Sequence, residues 1–428
     1  MKICVIGLGK IGLPLAAQYA SKGFRVIGCD INPEVVDSIN EGISHIKGEP
    51  GLDERVRDSV RKGLLSATTD TVKAVKESNV IVVIVPLVVD KEGNIDYSTI
   101  DSVTETISKG LQKDSLVIYE TTLPVGDTRD RMTPILERSG LKAGRDFYVV
   151  FSPERVSSGV MFRYLREIPK IVGGIDEEST RRGVEFYKRV LDSEVISVTT
   201  SEAAEATKLF GMVYRDVNIA LANEFARFCQ ARGLDVVEII GASNTNPHSH
   251  ILTPGIGVGG HCAPVYPYFL IKNASDLEID LILAKNARRI NGGMPEYAVN
   301  LLRKELKDLD GKNILILGIA YRGGVKETFL SPSLSVIEHL KDRGANVYVN
   351  DPLFSREEIE KLGVEFADLK NLNSMDAVIL VTDHKEYKNL DLKNLREKGV
   401  RVIVDGRNLL EKEKIEKHGI IYRGIGRP

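Results

Sequence analysis

The sequence predicts an α/β protein with two doubly wound parallel-sheet domains, joined by a long central helix and a helical linker domain. Three observations carry this. Short apolar strands alternate with helical patterns through residues 2–197 and again through residues 312–405. Several strands, Val80–Val85 and Ala377–Val381 among them, are apolar throughout, the pattern of a strand covered on both faces. Between the two blocks, Ser201–Arg232 repeats apolar residues at helical spacing without a proline. A chain of 428 residues is too long for one core, and the expected boundaries are 1–197, 198–300 and 301–428.

Composition narrows the function. A net charge of -2 supplies no basic face for nucleic acid. No apolar run is long enough to span a membrane, and the chain opens directly into the strand Lys2–Ile6 without a signal-peptide pattern. The cysteines at 4, 29, 229 and 262 have neither disulfide-framework nor metal-ligand spacing. The expectation is a cytoplasmic protein with no metal.

In chain order, the strand Lys2–Ile6 enters Gly7-x-Gly9-x-x-Gly12, a helix carries Ala16, Ala17 and Ala20 on its inner face, and the strand Arg25–Cys29 stops at Asp30. Strand, glycine turn, helix, strand and terminal acid form the context of a dinucleotide fingerprint, and with it the fold becomes Rossmann-like. The glycines let a pyrophosphate approach the helix N-terminus. Asp30 accepts from ribose hydroxyls and repels a 2′-phosphate, so the expected cofactor is NAD. Further strands are expected at Val80–Val85 (ending at Pro86), Leu116–Tyr119, Phe147–Phe151 and Ile171–Gly174. Thr122 and Glu154 follow two of them and should face the crevice at the strand ends. On the residues alone, Thr122 also reads as a turn residue and Glu154 as a solvated loop carboxylate.

The long helix should start at Ser201 and carries Lys208 on a small and apolar stripe. A lysine there either stabilises an oxyanion or snorkels to the surface. After Val236–Ala242 comes a turn with His248 and His250, then TPGIGVGGHCAPVYP at 253–267. That stretch is too rich in glycine and proline for helix or strand. It places Cys262 in a shaped loop, as a nucleophile beside backbone N–H groups or as a buried free thiol. A helix is expected from near Asp276 to beyond Pro295. The C-terminal block, with strands at 312–318, 346–350, 377–381 and 401–405, lacks a GxGxxG. It should hold a different nucleotide or close a cleft.

Over nearly the whole chain the sequence resembles the UDP-glucose/GDP-mannose dehydrogenase family, the nucleotide-sugar 6-dehydrogenases. The motifs are GLGKIGLPLA (7–16), GEPGLDE (48–54), ETTLPVG (120–126), SPERV (152–156), EAAEATKLF (202–210), YRDVNIALANEFA (214–226), PGIGVGGHCAPV (254–265) and LGIAYRGGVKET (317–328). The resemblance implies a four-electron, NAD-dependent oxidation at C6 of a UDP-sugar through a cysteine thiohemiacetal and thioester. Cys262, Lys208, Glu154 and Thr122 fall on the family's catalytic positions. Cofactor contacts are expected from Gly7, Gly9, Lys10, Ile11, Gly12, Asp30, Pro86 and Thr122. Substrate contacts are expected from Arg155, Lys208, His248, His250, Gly257, Gly259, Gly260, Tyr266 and Arg322. A homodimer through the central helix is implied, with a tetramer as the larger alternative.

GVGGHC is similar to the N-acetylhexosamine branch, so UDP-N-acetyl-D-mannosamine is the first expected substrate, and UDP-glucose or another NDP-hexose the second. Four residues depart from the main-line pattern. Met212 stands for asparagine, Tyr266 for aspartate, and His248 and Phe329 for arginines. They keep a non-catalytic nucleotide-sugar binder as the alternative from another class. A β-hydroxyacid-type dehydrogenase has no use for the cysteine loop.

Overall fold

The computed structural model describes residues 1–90 and 93–428. It divides into two compact units, Met1–Gly211 with Tyr268–Leu277, and Met212–Pro267 with Glu278–Pro428.

The first unit is built on an eight-stranded sheet. Its order is Val195–Ser197, Lys170–Gly174, Tyr148–Phe151, Leu116–Tyr119, Val80–Val83, Lys2–Ile6, Arg25–Cys29, Leu65–Thr68. The chain leaves Lys2–Ile6 toward Arg25–Cys29 on one side and later fills the other side from Val80–Val83 outward. The strand order therefore reverses at Lys2–Ile6, where an open α/β sheet leaves a crevice for ligands. The apolar strands are buried as their composition requires, and Leu13, Leu15, Ala16, Ala17 and Ala20 of the helix Gly12–Ser21 are fully buried against them. One expectation fails here. Lys170–Gly174 pairs antiparallel with Tyr148–Phe151, so the sheet is mixed. Residue patterning distinguishes buried from exposed strands, whereas strand direction depends on the length and path of the connection.

The second unit holds a six-stranded, all-parallel sheet. Its order is Glu365–Phe366, Asn346–Asn350, Asn313–Leu317, Ala377–Leu380, Val402–Asp405, Ile421–Gly424. Its first turn repeats the device of the first unit. Gly7 (φ 92°) donates to the Cys29 carbonyl, and the next N–H, of Leu8, bonds Asp30. Gly318 (φ 90°) donates to the Asn350 carbonyl, and the next N–H, of Ile319, bonds Asp351. Here the Asp351 carboxylate also takes the Ala320 N–H at 3.2 Å and His384 Nε2 at 3.1 Å. These donors are already satisfied by a buried carboxylate, which gives a physical reason why this turn carries no dinucleotide fingerprint.

The central helix spans Ser201–Arg232. Its cap is Thr200, one residue before the expected start, whose hydroxyl accepts the Ala203 N–H at 3.2 Å. Phe210, Tyr214, Leu221, Phe225 and Phe228 are all exposed along it.

The expected helix from Asp276 through Pro295 is corrected to three helices. Tyr266–Asp276 ends where one was expected to begin, Ile282–Gly292 follows, and Met294–Leu306 starts anew with Pro295 in its first turn. Glu278 adopts φ 60° and ends the first run. Among the described residues no helix is long and apolar enough to cross a membrane, and no group of three or more His, Cys, Asp and Glu side chains is gathered to hold a metal ion.

Candidate active site

The nucleotide turn in the first unit fits NAD. A Cβ on Gly12 would lie 1.7 Å from the Gly7 carbonyl oxygen, and one on Gly7 would lie 2.5 Å from the Ile84 oxygen. A Cβ on Gly9 would meet nothing within 4 Å, so the turn is closed toward the sheet and open above. No side chain caps the helix that begins at Gly12, which leaves its N-terminus for an anion. Asp30 stands at the end of the next strand, with Oδ2 on the Leu8 N–H (3.0 Å) and Oδ1 on the Asn32 N–H (3.0 Å). Lys10 and Pro86 are exposed and Ile11 is half-buried beside this turn. Replacing Gly12 by alanine forces a methyl against backbone. NAD+ affinity measured by titration calorimetry is expected to fall about 10- to 100-fold (~1–3 kcal/mol). An unchanged Kd would refute this reading of the turn.

Lys208 and Glu154 are brought together. Lys208, a buried residue, donates from Nζ to the Glu154 backbone carbonyl at 2.7 Å. The helix that carries it is tied to the loop after Leu116–Tyr119. Glu205, one turn before Lys208 and wholly buried, accepts the Gly126 N–H at 2.6 Å and the Thr128 N–H at 2.9 Å. Burial pushes this carboxyl up, to about 8, against the pull of those donors. Asn273 holds the same loop from its other side, through the Val125 N–H at 2.8 Å and the Val125 carbonyl at 3.2 Å. Thr122 lies buried in this loop, and Thr121 Oγ1 donates to the Val85 carbonyl at 2.7 Å.

Glu154 does not project into solvent as a loop carboxylate. Its Oε1 accepts the N–H groups of Arg155 (2.7 Å) and Val156 (3.1 Å), and Oε2 accepts Lys170 Nζ at 2.8 Å. Burial alone would raise it, but the ammonium and these donors hold it below the usual carboxylate range. Arg155 is half-buried and bonds the Pro169 carbonyl. The Glu49 carboxylate of the GEPGLDE segment takes the Gly159 N–H at 2.6 Å and the Met161 N–H at 2.8 Å, fixing the chain just beyond SPERV. Sequence reading missed Lys170, Glu120, Glu205, Glu49 and Asn273 as parts of this region.

Cys262 lies half-buried in the second unit, in a loop held on both sides. Its carbonyl accepts the Tyr266 N–H at 2.9 Å and the Val265 N–H at 3.2 Å, which starts the helix Tyr266–Asp276. Arg288 donates to the Ala263 carbonyl at 3.2 Å and faces Asp216. Asn291 bonds Asp216 and Asn223, and Asn223 accepts the Gly255 N–H at 2.9 Å. Gly260 donates to the Phe329 carbonyl at 3.0 Å, while the His261 ring stacks flat on Phe329 (4.1 Å, 6°) and pairs with Glu327. Phe329, a departure from the family pattern, is thus the stacking partner of the residue before the cysteine.

The glycines have packing reasons of their own. A Cβ on Gly259 would lie 2.7 Å from the Leu330 oxygen, one on Gly260 (φ 96°) 2.9 Å from the Tyr321 ring, and one on Gly257 (φ 138°) 3.2 Å from Pro332. Tyr266 and Arg322 are half-buried. His248 and His250 are exposed on the turn after the helix Val236–Ser243, where the Asn218 side chain donates to the His250 carbonyl at 2.6 Å. Arg407, which sequence reading passed over, donates from Nε to the Val381 carbonyl at 2.7 Å and from Nη2 to the Tyr321 carbonyl at 3.4 Å.

UDP-N-acetyl-D-mannosamine dehydrogenase of Pyrococcus horikoshii is 38% identical over 437 residues, covering 100% of this chain and 99% of that protein. The solved structure of a UDP-D-ManNAc dehydrogenase from the same organism superposes with a TM-score of 0.91 at 37% identity, covering 100% of this chain and 99% of that one. A UDP-glucose dehydrogenase from Pyrobaculum islandicum gives 0.88 at 27% identity, covering 100% and 98%. Family models of the UDP-glucose/GDP-mannose dehydrogenases match in chain order: the NAD binding domain at residues 1–191, the central domain at 202–292 and the UDP binding domain at 315–412. The chain therefore belongs to the UDP-glucose/GDP-mannose dehydrogenase family and is an NAD-dependent nucleotide-sugar dehydrogenase.

Proposed function

We propose that the chain oxidises the C6 hydroxyl of UDP-N-acetyl-D-mannosamine to a carboxylate, consuming two NAD+ per sugar. The observation that carries the substrate is the full-length similarity to relatives named for it. In this reading residues 1–197 hold the cofactor, 198–300 carry the cysteine loop and 301–428 hold the nucleotide sugar. The exposed aromatic stripe of the central helix is the seam of a homodimer, and the enzyme works in the cytoplasm.

NAD+, when bound, accepts the hydride in each oxidation. In the first, the C6 hydroxyl gives its proton to water as hydride leaves C6, and Lys208 stabilises the alkoxide that develops on the oxygen. The Cys262 thiolate then adds to the aldehyde. A C–S bond forms, the carbonyl pair moves onto oxygen, and Lys208 holds that oxyanion. Loss of hydride from the adduct leaves a thioester on Cys262. Thr122 and Glu154 hold a water. Glu154 takes its proton as the oxygen attacks, the C–S bond breaks, and Cys262 leaves as thiolate. Lys10, Ile11 and Pro86 contact the cofactor. Arg155, His248, His250, Tyr266, Arg322 and the glycines 257, 259 and 260 contact the UDP-sugar.

The test is NAD+ reduction against UDP-ManNAc, UDP-GlcNAc, UDP-glucose and dTDP-glucose, with product mass. Two NADH per UDP-ManNAc and a carboxylate product are expected. UDP-glucose is the second reading, favoured by the structural likeness to a UDP-glucose dehydrogenase, and activity on it alone would replace the first. One NADH per sugar would mean that Met212 and Tyr266 have cost the enzyme its second oxidation, and a burst of two NADH per site without turnover would mean that they have cost it hydrolysis. Silence with binding intact would leave a nucleotide-sugar binder.

A further inference from the structure

The buried groups that the reaction leaves unused are Lys170 and Glu120. Lys170 opens the antiparallel strand Lys170–Gly174, and its side chain is 5% exposed. Its ammonium lies 2.8 Å from Glu120 Oε2 and 2.8 Å from Glu154 Oε2. Glu120 is wholly enclosed, and its other oxygen accepts the hydroxyls of Tyr19 (3.1 Å) and Tyr187 (2.6 Å). The Tyr187 ring lies 5.0 Å from the ammonium. Two ionised carboxylates on one lysine leave a buried excess of negative charge, and burial together with the Glu154 charge pushes Glu120 up, to about 7, so Glu120 is the first of the two to take a proton. That is an expensive arrangement if its only purpose were to stabilise the fold, because a single buried pair would need less desolvation.

The geometry points to a tuning device: Lys170 and Glu120 are positioning residues that set the aim and the basicity of Glu154. The inference rests on reading Glu154 as the group that activates water. An ammonium bound to Glu154 alone would make it a poor base. Sharing that ammonium with Glu120 leaves Glu154 ionised and fixed at both oxygens while part of its proton affinity is restored. The other groups facing this carboxylate are Tyr19, Tyr187, the neighbouring Arg155, and Lys208, which is bonded to the Glu154 carbonyl. Of all these, Glu120 is the one whose charge, once it is ionised, repels a charge on Glu154, whereas its hydrogen bond while it carries the proton lowers Glu154.

Glu120→Gln is the variant to make. The amide can turn its oxygen to Lys170 and its NH2 to the two tyrosine hydroxyls, so the site stays bonded. Removing a like charge lowers the proton affinity of Glu154. The acid limb of the pH profile for thioester hydrolysis is expected to move down by about one unit, with plateau turnover reduced several-fold. KM values for NAD+ and sugar and the melting temperature should change little. Lys170→Arg keeps the charge and should leave the limb where it is while lowering turnover through altered aim. A folded Glu120→Gln enzyme with an unmoved limb overturns the inference, as does a loss that appears equally in KM and melting temperature. Glu154→Gln, run alongside, separates the two levels. If it still hydrolyses the thioester at the native rate, the reading of Glu154 itself fails. If it stalls as acyl-enzyme while Glu120→Gln leaves the limb in place, only the tuning role fails.

Discussion

Replacing Cys262 by alanine is expected to lower the rate of sugar-acid formation on the order of 10³-fold or more. The size of the effect follows from the chemistry. An aldehyde has no hydride to give until a nucleophile adds to its carbonyl, and in the proposed route the thiolate both supplies that adduct and keeps the aldehyde on the enzyme. The change should be local. The Cys262 carbonyl holds the first N–H groups of the helix Tyr266–Asp276, Arg288 holds the Ala263 carbonyl, and Phe329 holds Gly260 and His261. None of these contacts uses the sulfur, so the alanine protein keeps its loop and its fold. Its product, read by mass, should be limited to what one oxidation can give. Serine in the same place should do little better, since its hydroxyl is a weaker nucleophile without a base at hand. Two NADH per sugar from the alanine protein at a rate near the native one would remove the covalent route.

Much of the architecture was legible because its determinants are local. The strand before Gly7, the glycine spacing and Asp30 lie within one supersecondary unit, and the central helix repeats its pattern over 32 residues. The cysteine loop announced itself by composition. What was not legible depended on partners distant in sequence. The helix Tyr266–Asp276 begins with Tyr-Pro-Tyr after a run of glycines and prolines, so its start is set by two N–H groups turning onto the Cys262 carbonyl. The direction of Lys170–Gly174 cannot be read from its residues. For the same reason Lys170 looked like any lysine before an apolar strand, although it sits between carboxylates 50 and 16 residues away. Glu154 was placed correctly at a strand end, but its bonding to Lys170 and to two backbone N–H groups has no signature in SPERV. Phe329 stood out as a departure from the family, and its meaning emerged only when the His261 ring was found stacked on it.

Lys208→Met should lower the rate of the first hydride transfer on the order of 10²- to 10³-fold while leaving KM for the nucleotide sugar within a few-fold, as expected for the loss of one group that stabilises developing oxyanion charge. Methionine keeps an unbranched apolar stem of similar length, and the surroundings are fixed by other residues. Glu205 is bonded to the 126–128 loop, and Glu154 is held by Lys170 and the Arg155 and Val156 N–H groups. The variant therefore loses the hydrogen bond to the Glu154 carbonyl and the charge that makes it. A structural lysine would behave differently, with a lower melting temperature and weaker binding but a chemical step close to native. Lys208→Arg sharpens the distinction. It retains the charge, but a rigid planar fork does not reproduce a compact ammonium at a single point, so it should recover only a small part of the rate. Stopped-flow measurement of the first NADH separates this step from thioester hydrolysis, the step proposed for Glu154. If Lys208→Met transfers its first hydride within about tenfold of the native enzyme, the oxyanion role falls, and the buried lysine is left as a tie between the central helix and the Glu154 loop.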